Sequence, residues 1–139
     1  MDDRVQPFCW PVRVYWEDTD GGGVVYHARY LNYFERARTE WLRAAGFEQS
    51  TLHRRYDLVF AVRRMEIDFH RAARLDARLE VTVIPGRIRK ASMELDQQMR
   101  RAGGGELIAA ASVYAACLTA STFKPRRIPA TIYNELDTA

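Results

Sequence analysis

The chain has 139 residues, 47% of them apolar, and two cysteines, Cys9 and Cys117, far apart. That suits one domain over residues 1–139, leaves no stretch near the ~20 apolar residues needed to span a bilayer, and excludes a disulfide framework or a cysteine-based metal site. The formal net charge is +3, but the basic residues fall in small groups between acids, which argues against nucleic-acid binding and for a small anionic ligand or an acidic protein partner.

The N-terminus, MDDRVQPFCWPVRV, has early acids and no apolar run, so no secretory signal is expected and the chain reads as cytoplasmic. Val12, Val14 and Trp16 alternate with Arg13, Tyr15 and Glu17, which predicts a strand with the first three inward. Asp18-Thr19-Asp20 and then Gly21-Gly22-Gly23 end it, since three glycines permit backbone angles closed to other residues. Tyr30, Phe34, Ala37, Trp41 and Ala45, with Leu31 and Leu42 beside them, form an apolar stripe at helical period. Arg36 and Glu40 are spaced as an i,i+4 pair, and Gly46 supplies the stop.

A loop is expected over residues 48–56. Four strands follow: Val59 to Phe69, with Met65, Ile67 and Phe69 on one face; Leu79 to Ile84, ended by Pro85-Gly86; Arg89 to Arg101, with Ala91, Met93, Leu95 and Met99 on one face; and Glu106 to Leu118. Their short connections, including Gly103-Gly104-Gly105, predict antiparallel pairing. The tail from Phe123 reads as a loop or short helix. A helix of roughly 17 residues is ~25 Å long, and strands of this number can curl around it. The last strand has almost no polar face, so a second subunit is expected to cover it.

Strand, then D-x-D-x-x-G-V-V-Y-H-x-x-Y-x-x-Y-F-E-x-A-R from Asp18 to Arg38, then helix and antiparallel sheet, resembles the hotdog-fold thioesterases of the 4-hydroxybenzoyl-CoA thioesterase type. Within them the pattern is most similar to the bacterial acyl-CoA thioesterases associated with the Tol-Pal system. Phe60 to Val81 and Phe123 to Pro129 extend the resemblance over about Val12 to Pro129. It implies an α+β hotdog fold, one long central helix wrapped by a five-stranded antiparallel sheet. It also implies hydrolysis of acyl-CoA thioesters without a cofactor or metal, and dimers pairing into tetramers with the site between subunits. Acyl carrier protein as a second acyl donor and peripheral association with the inner membrane are part of that expectation.

A thioester needs a nucleophile at its carbonyl carbon and donors for the developing oxyanion. By residue chemistry alone Asp20 is open between an Asx-turn or helix cap and a general base or nucleophile; the resemblance assigns it the catalytic role. Asp18 is read as a turn or cap residue, because two charged carboxylates repel in one dry site. The glycine run lacks the Lys-Ser or Lys-Thr end of a phosphate loop, and Gly23 is read as allowing the thioester close to the backbone. The resemblance places His27 at the thioester carbonyl and Val24, Tyr26, Tyr30 and Glu35 about the substrate. Glu35 is the alternative base. Arg89, Lys90 and Ser92 are placed near the CoA phosphates, which arginine binds well. No G-x-S-x-G elbow occurs, and Cys117 reads as an inert core residue. The rival readings are a hotdog dehydratase or hydratase, which acts on the acyl chain, and a non-catalytic protein docking on acyl carrier protein or a membrane complex.

Overall fold

Alternation of small and branched apolar residues with polar ones decides the sheet. The computed structural model describes residues 7–137, so the acids of the N-terminus lie outside the described residues. The order is β1 (Phe8–Arg13), a 3-10 turn (Trp16–Asp18), α1 (His27–Ala44), α2 (Gln49–Tyr56), β2 (Leu58–Phe69), β3 (Arg78–Ile88), β4 (Ser92–Arg101), β5 (Leu107–Thr119) and α3 (Ala130–Asp137). The five strands form one antiparallel sheet in the order β1-β3-β4-β5-β2. β4 is central and β5 lies beside it, while β1 and β2 are edges. Pro11, which has no N–H to donate, sits on edge strand β1.

α1 lies against the face formed by Val81 and Val83 of β3, Leu95 and Met99 of β4 and Val113 of β5. Its own contribution is Tyr30, Tyr33, Phe34, Ala37, Trp41 and Leu42, all buried. The predicted stripe is therefore the buried face, with two adjustments. Tyr33 is fully buried, and Leu31 is 45% exposed. Gly46 ends the helix at φ +101°, its N–H donating to the Arg43 carbonyl.

Several expectations change in the structure. The first strand ends at Arg13, earlier than the alternation implied; Val12 and Val14 are buried, but Trp16 is 74% exposed because the chain turns through the 3-10 segment. Residues 49–56 are a helix rather than a loop, anchored by buried Leu52 and stopped by Asp57 at φ +51°. Pro85-Gly86 does not end β3; it makes a register shift opposite β4, and the strand runs on to Ile88. β4 starts at Ser92 rather than Arg89. Glu40 pairs with Arg43, not Arg36, whose guanidinium lies 5.9 Å from the Tyr33 ring centre.

The core-facing row of β4 also holds a residue that the apolar pattern misses. Gln97 is 1% exposed; its Nε2 donates to the Phe34 carbonyl (3.0 Å) and its Oε1 accepts from Arg38 (3.0 Å). Both ends of the amide are satisfied, which is what makes burial of a polar side chain tolerable. On the far face of the sheet Ala110, Ser112, Tyr114, Ala116 and Leu118 of β5 are half-buried, between Glu94 and Asp96 of β4 and Arg64 and Glu66 of β2. No helix of the described residues is long and apolar enough to cross a membrane.

Candidate active site

The Asp-Thr-Asp-Gly-Gly-Gly stretch folds back on itself. Thr19 bridges Val25, the Asp20 N–H donates to the Val24 carbonyl (3.1 Å), and the Tyr26 N–H donates to the Asp18 carbonyl (2.9 Å). Six residues lie between Asp20 and the first residue of α1, so Asp20 does not stand directly at the helix start. The hairpin brings it back beside the two residues that lead into the helix. Gly21 and Gly23 have φ of +88° and +82°, which explains glycine there. A Cβ at Gly23 would meet nothing within 4 Å, so within this chain its need is conformational.

This hairpin is tied to the segment ahead of β3. The Val25 N–H donates to the Ala73 carbonyl (2.8 Å), the Leu75 N–H to the Gly23 carbonyl (3.0 Å), and Val24 bridges Arg74. The Tyr30 hydroxyl accepts from the Ala73 N–H (3.0 Å), with its ring 4% exposed and edge-on to Phe69. Tyr30 therefore holds the scaffold under the loop.

The two aspartates have opposite surroundings. Asp18 is 3% exposed: it accepts from the Tyr15 N–H (2.9 Å) and lies 3.9 Å from Arg29. The buried Tyr33 hydroxyl faces it without a formed hydrogen bond, and burial first, then the Asp18 carboxylate, push the Tyr33 pKa well up. Asp18 is thus a turn residue, as its spacing implied. Asp20 is exposed, and its Oδ1 accepts from the Gly22 N–H (2.9 Å). That is an Asx-turn. A carboxylate has acceptor capacity on both oxygens, so the turn orients the group while leaving it able to react.

α1 begins with no side-chain cap: Tyr26 is the N-cap and contributes no side-chain hydrogen bond. The first N–H groups of a helix have no intrahelical partner, and their dipole favours negative charge. His27, the first helical residue, is exposed with its ring 4.4 Å from that of Tyr26. Exposed Glu35 stands two turns on, at the rim of an apolar groove of about 400 Å³ between α1 and β2, floored by Met93, Leu95 and Ala115.

The phosphate candidates lie elsewhere. Ser92 pairs with Ala116, whereas the hairpin is tied to Ala73, three residues past His70, whose N–H donates to the Ile108 carbonyl. Eight residues of β5 separate these points, roughly 26 Å. Arg89 and Ser92 line a cleft of about 160 Å³ together with Arg63, Arg64 and Glu94, and Arg89 reaches Glu94 at 3.3 Å. Lys90 is exposed nearby, its carbonyl accepting from the Ile128 N–H. Arg63 and Arg64 were not among the candidates. They reach this cleft through a register shift in β2 between Val62 and Arg64, which period-2 reading does not reveal. Cys117 is fully buried and its thiol pKa is raised by that burial, so it is a core residue. Among the described residues no three His, Cys, Asp or Glu side chains are grouped to hold a metal ion.

The model of the Thioesterase superfamily matches residues 22–108. The chain is 44% identical over 122 residues to the acyl-CoA thioesterase YbgC of Haemophilus influenzae, covering 88% of each chain. It is 42% identical over 128 residues to the acyl-CoA thioester hydrolase YbgC of Escherichia coli O6:H1, covering 92% of this chain and 94% of that one. Among solved structures, a probable thioesterase from Bartonella henselae superposes with a TM-score of 0.83 at 38% identity, covering 89% of this chain and all of that one.

Proposed function

The chain belongs to the thioesterase superfamily and is an acyl-CoA thioester hydrolase of hotdog fold; from that premise we propose that Asp20 drives the hydrolysis at the uncapped N-terminus of α1. The observation that carries this is the hairpin. It sets an exposed carboxylate, oriented by the Gly22 N–H, on a segment that pairs with Val24 and Val25, just ahead of an uncapped helix.

In this reading the acyl carbonyl oxygen faces the free N–H groups around His27, which stabilise the negative charge that develops there. Asp20 takes a proton from water as the water oxygen bonds to the carbonyl carbon, or attacks that carbon itself to give an anhydride that water then opens. The tetrahedral species collapses, the C–S bond breaks, and the CoA thiolate leaves and takes up a proton. Gly23, Val24, Tyr26 and Glu35 surround the acyl thioester, with Tyr30 beneath them. Arg89, Lys90 and Ser92 hold phosphates of CoA at the far end of a pantetheine arm, joined by Arg63. The separation along β5 is longer than an extended pantetheine arm, and the cleft shares Met93 and Ala115 with the groove beside α1, so the hairpin and the phosphate cleft that serve one substrate come from two chains.

We place the protein in the cytoplasm as a homo-oligomer, with acyl carrier protein as a second acyl donor and the inner-membrane surface as a docking site. Support for an anionic partner comes from one end of the fold. There Arg54, Arg55, Lys124 and Arg127 are exposed around Phe123, itself 68% exposed, and the loop is tied to α2 by Arg126 donating to the Tyr56 carbonyl (2.6 Å). Release of free thiol from a panel of CoA and acyl-carrier-protein esters tests the function. A single turnover in ¹⁸O-water that leaves label in Asp20 establishes the anhydride route, opened at the Asp20 carbon; label in the product alone fits a general base or an anhydride opened at the acyl carbon.

A further inference from the structure

The groove between α1 and β2 contains one charged group deeper than its rim. Its walls are mostly apolar, Leu31, Trp41, Phe60, Val62 and Met65, with Thr39 and Gln49 among them, and Arg38 lines it from the helix. The Arg38 guanidinium is held in place rather than free to snorkel outward. Gln97 spends its amide donor on the Phe34 carbonyl, which fixes its oxygen toward Arg38, and that oxygen accepts one Arg38 N–H. Arginine has five such donors. Among the described residues no carboxylate lies within ion-pairing distance of Arg38; Glu35, one turn away and exposed, acts on it only through space. Burial lowers the Arg38 pKa, a sign of desolvation, yet a guanidinium stays charged in proteins. A fixed, partly desolvated cation with unused donors in an apolar groove is costly unless an anion meets it.

We propose that this groove is the acyl-chain site and that Arg38 selects acyl groups ending in a carboxylate, so that the preferred substrates are monothioesters of dicarboxylic acids. The inference rests on the thioesterase reading, with the acyl carbonyl at the N-terminus of α1. From His27 to Arg38 the helix rises about 16 Å, and a helical side chain leans back toward the N-terminus, which shortens the path. The chain that spans it is therefore of medium length. An extended acyl group would lie along the apolar wall and end in a bidentate pair with the guanidinium. Glu35 opposes this from the rim, where water screens it.

The test compares adipoyl- and sebacoyl-CoA with hexanoyl- and decanoyl-CoA, in the wild type and in Arg38→Met. Wild type should favour the carboxylated member of at least one pair in kcat/KM. Arg38→Met should lower kcat/KM for that ester by roughly 10- to 100-fold, the span for loss of a charge-assisted hydrogen bond, chiefly through KM. The unsubstituted esters should hold or improve. If wild type prefers the plain chains in both pairs, or Arg38→Met lowers all four equally, the proposal is wrong. Gln97→Glu keeps Arg38 but gives it a carboxylate of its own; it should weaken the carboxylated esters selectively, and an unchanged preference in a folded Gln97→Glu protein overturns the proposal even where Arg38→Met does not fold. Wild type that hydrolyses no CoA ester sinks the thioesterase reading instead. The groove is then judged by suberate, which should raise the Tm of wild type and not of Arg38→Met; no shift in wild type rejects it.

Discussion

Asp20 and Asp18 are two residues apart and do different work because their oxygens meet different neighbours. Asp18 spends its carboxylate inside the fold, on the Tyr15 N–H and against Arg29, whereas Asp20 is turned outward by the Gly22 N–H. Asp20→Asn keeps that acceptor and so the turn. The variant should fold as judged by circular dichroism, and kcat should fall by at least the ~10²-fold typical of a lost general base, with KM little changed. A folded Asp20→Asn enzyme with near wild-type kcat would leave Asp20 as a turn residue and pass the role to Glu35. Tyr33 gives a second, independent expectation. Its folded pKa lies above the unfolded value of about 10, through burial and the Asp18 carboxylate. Above that pH the unfolded chain releases the phenolic proton while the folded one retains it, so stability contributed by Tyr33 is full below the unfolded pKa and falls as pH rises toward the folded one. Denaturant melts should show a steeper loss of stability above pH 10 in wild type than in Tyr33→Phe; parallel curves would place the hydroxyl in water.

At the level of elements, long periodic signals were legible and local backbone events were not. The stripe of α1 was readable because burial on one side leaves a 3.6-residue period, and the core row of β4 because it leaves a period of two. What a period cannot carry is a change of direction. The 3-10 turn exposes Trp16, the shift at Pro85-Gly86 keeps β3 running, and the shift near Arg63 brings a new cation beside Arg89. α2 leaves no readable period because its eight mostly polar residues bury one side chain, Leu52. The Asp20 hairpin was legible as composition, in its aspartates and glycines, but its ties to Ala73 and Leu75 are long-range. The cleft on β2 and β4 yields a prediction of its own. Arg63→Ala and the double change Arg89→Ala with Lys90→Ala should each raise KM for CoA esters several-fold with a smaller effect on kcat. The effect should shrink on a pantetheine thioester, which has no nucleotide. Equal losses on both substrates would assign these residues to folding.

For the whole molecule, the uncovered apolar surface differs from the one that the last strand alone suggests. The far face of β5 is half-buried between charged rows, so it is a mixed surface rather than a bare apolar one. The more apolar uncovered surface is along β2. This is a twelve-residue edge strand whose outer N–H and C=O groups pair with no other strand of the described residues, and Val62 at 45% and Phe69 at 53% exposure stand on its helix-side face, with Leu31 at 45% across the groove. A long apolar edge left open invites another chain to pair with it. A second copy, antiparallel along β2, would satisfy both the backbone and these side chains, and would bring two grooves and two α1 helices together. The charged far face would then join dimers through ion pairs, which salt weakens. Sedimentation should therefore find no stable 16.1 kDa species at micromolar concentration, and any tetramer should separate to dimers as salt rises. Val62→Arg with Phe69→Arg places charge at exposed positions, so each chain should keep its fold by circular dichroism while the dimer is lost. Val62 also lines the groove beside α1, so a fall in thiol release does not by itself show a shared site; a folded, monomeric double variant with full activity would show that each chain carries a complete site by itself.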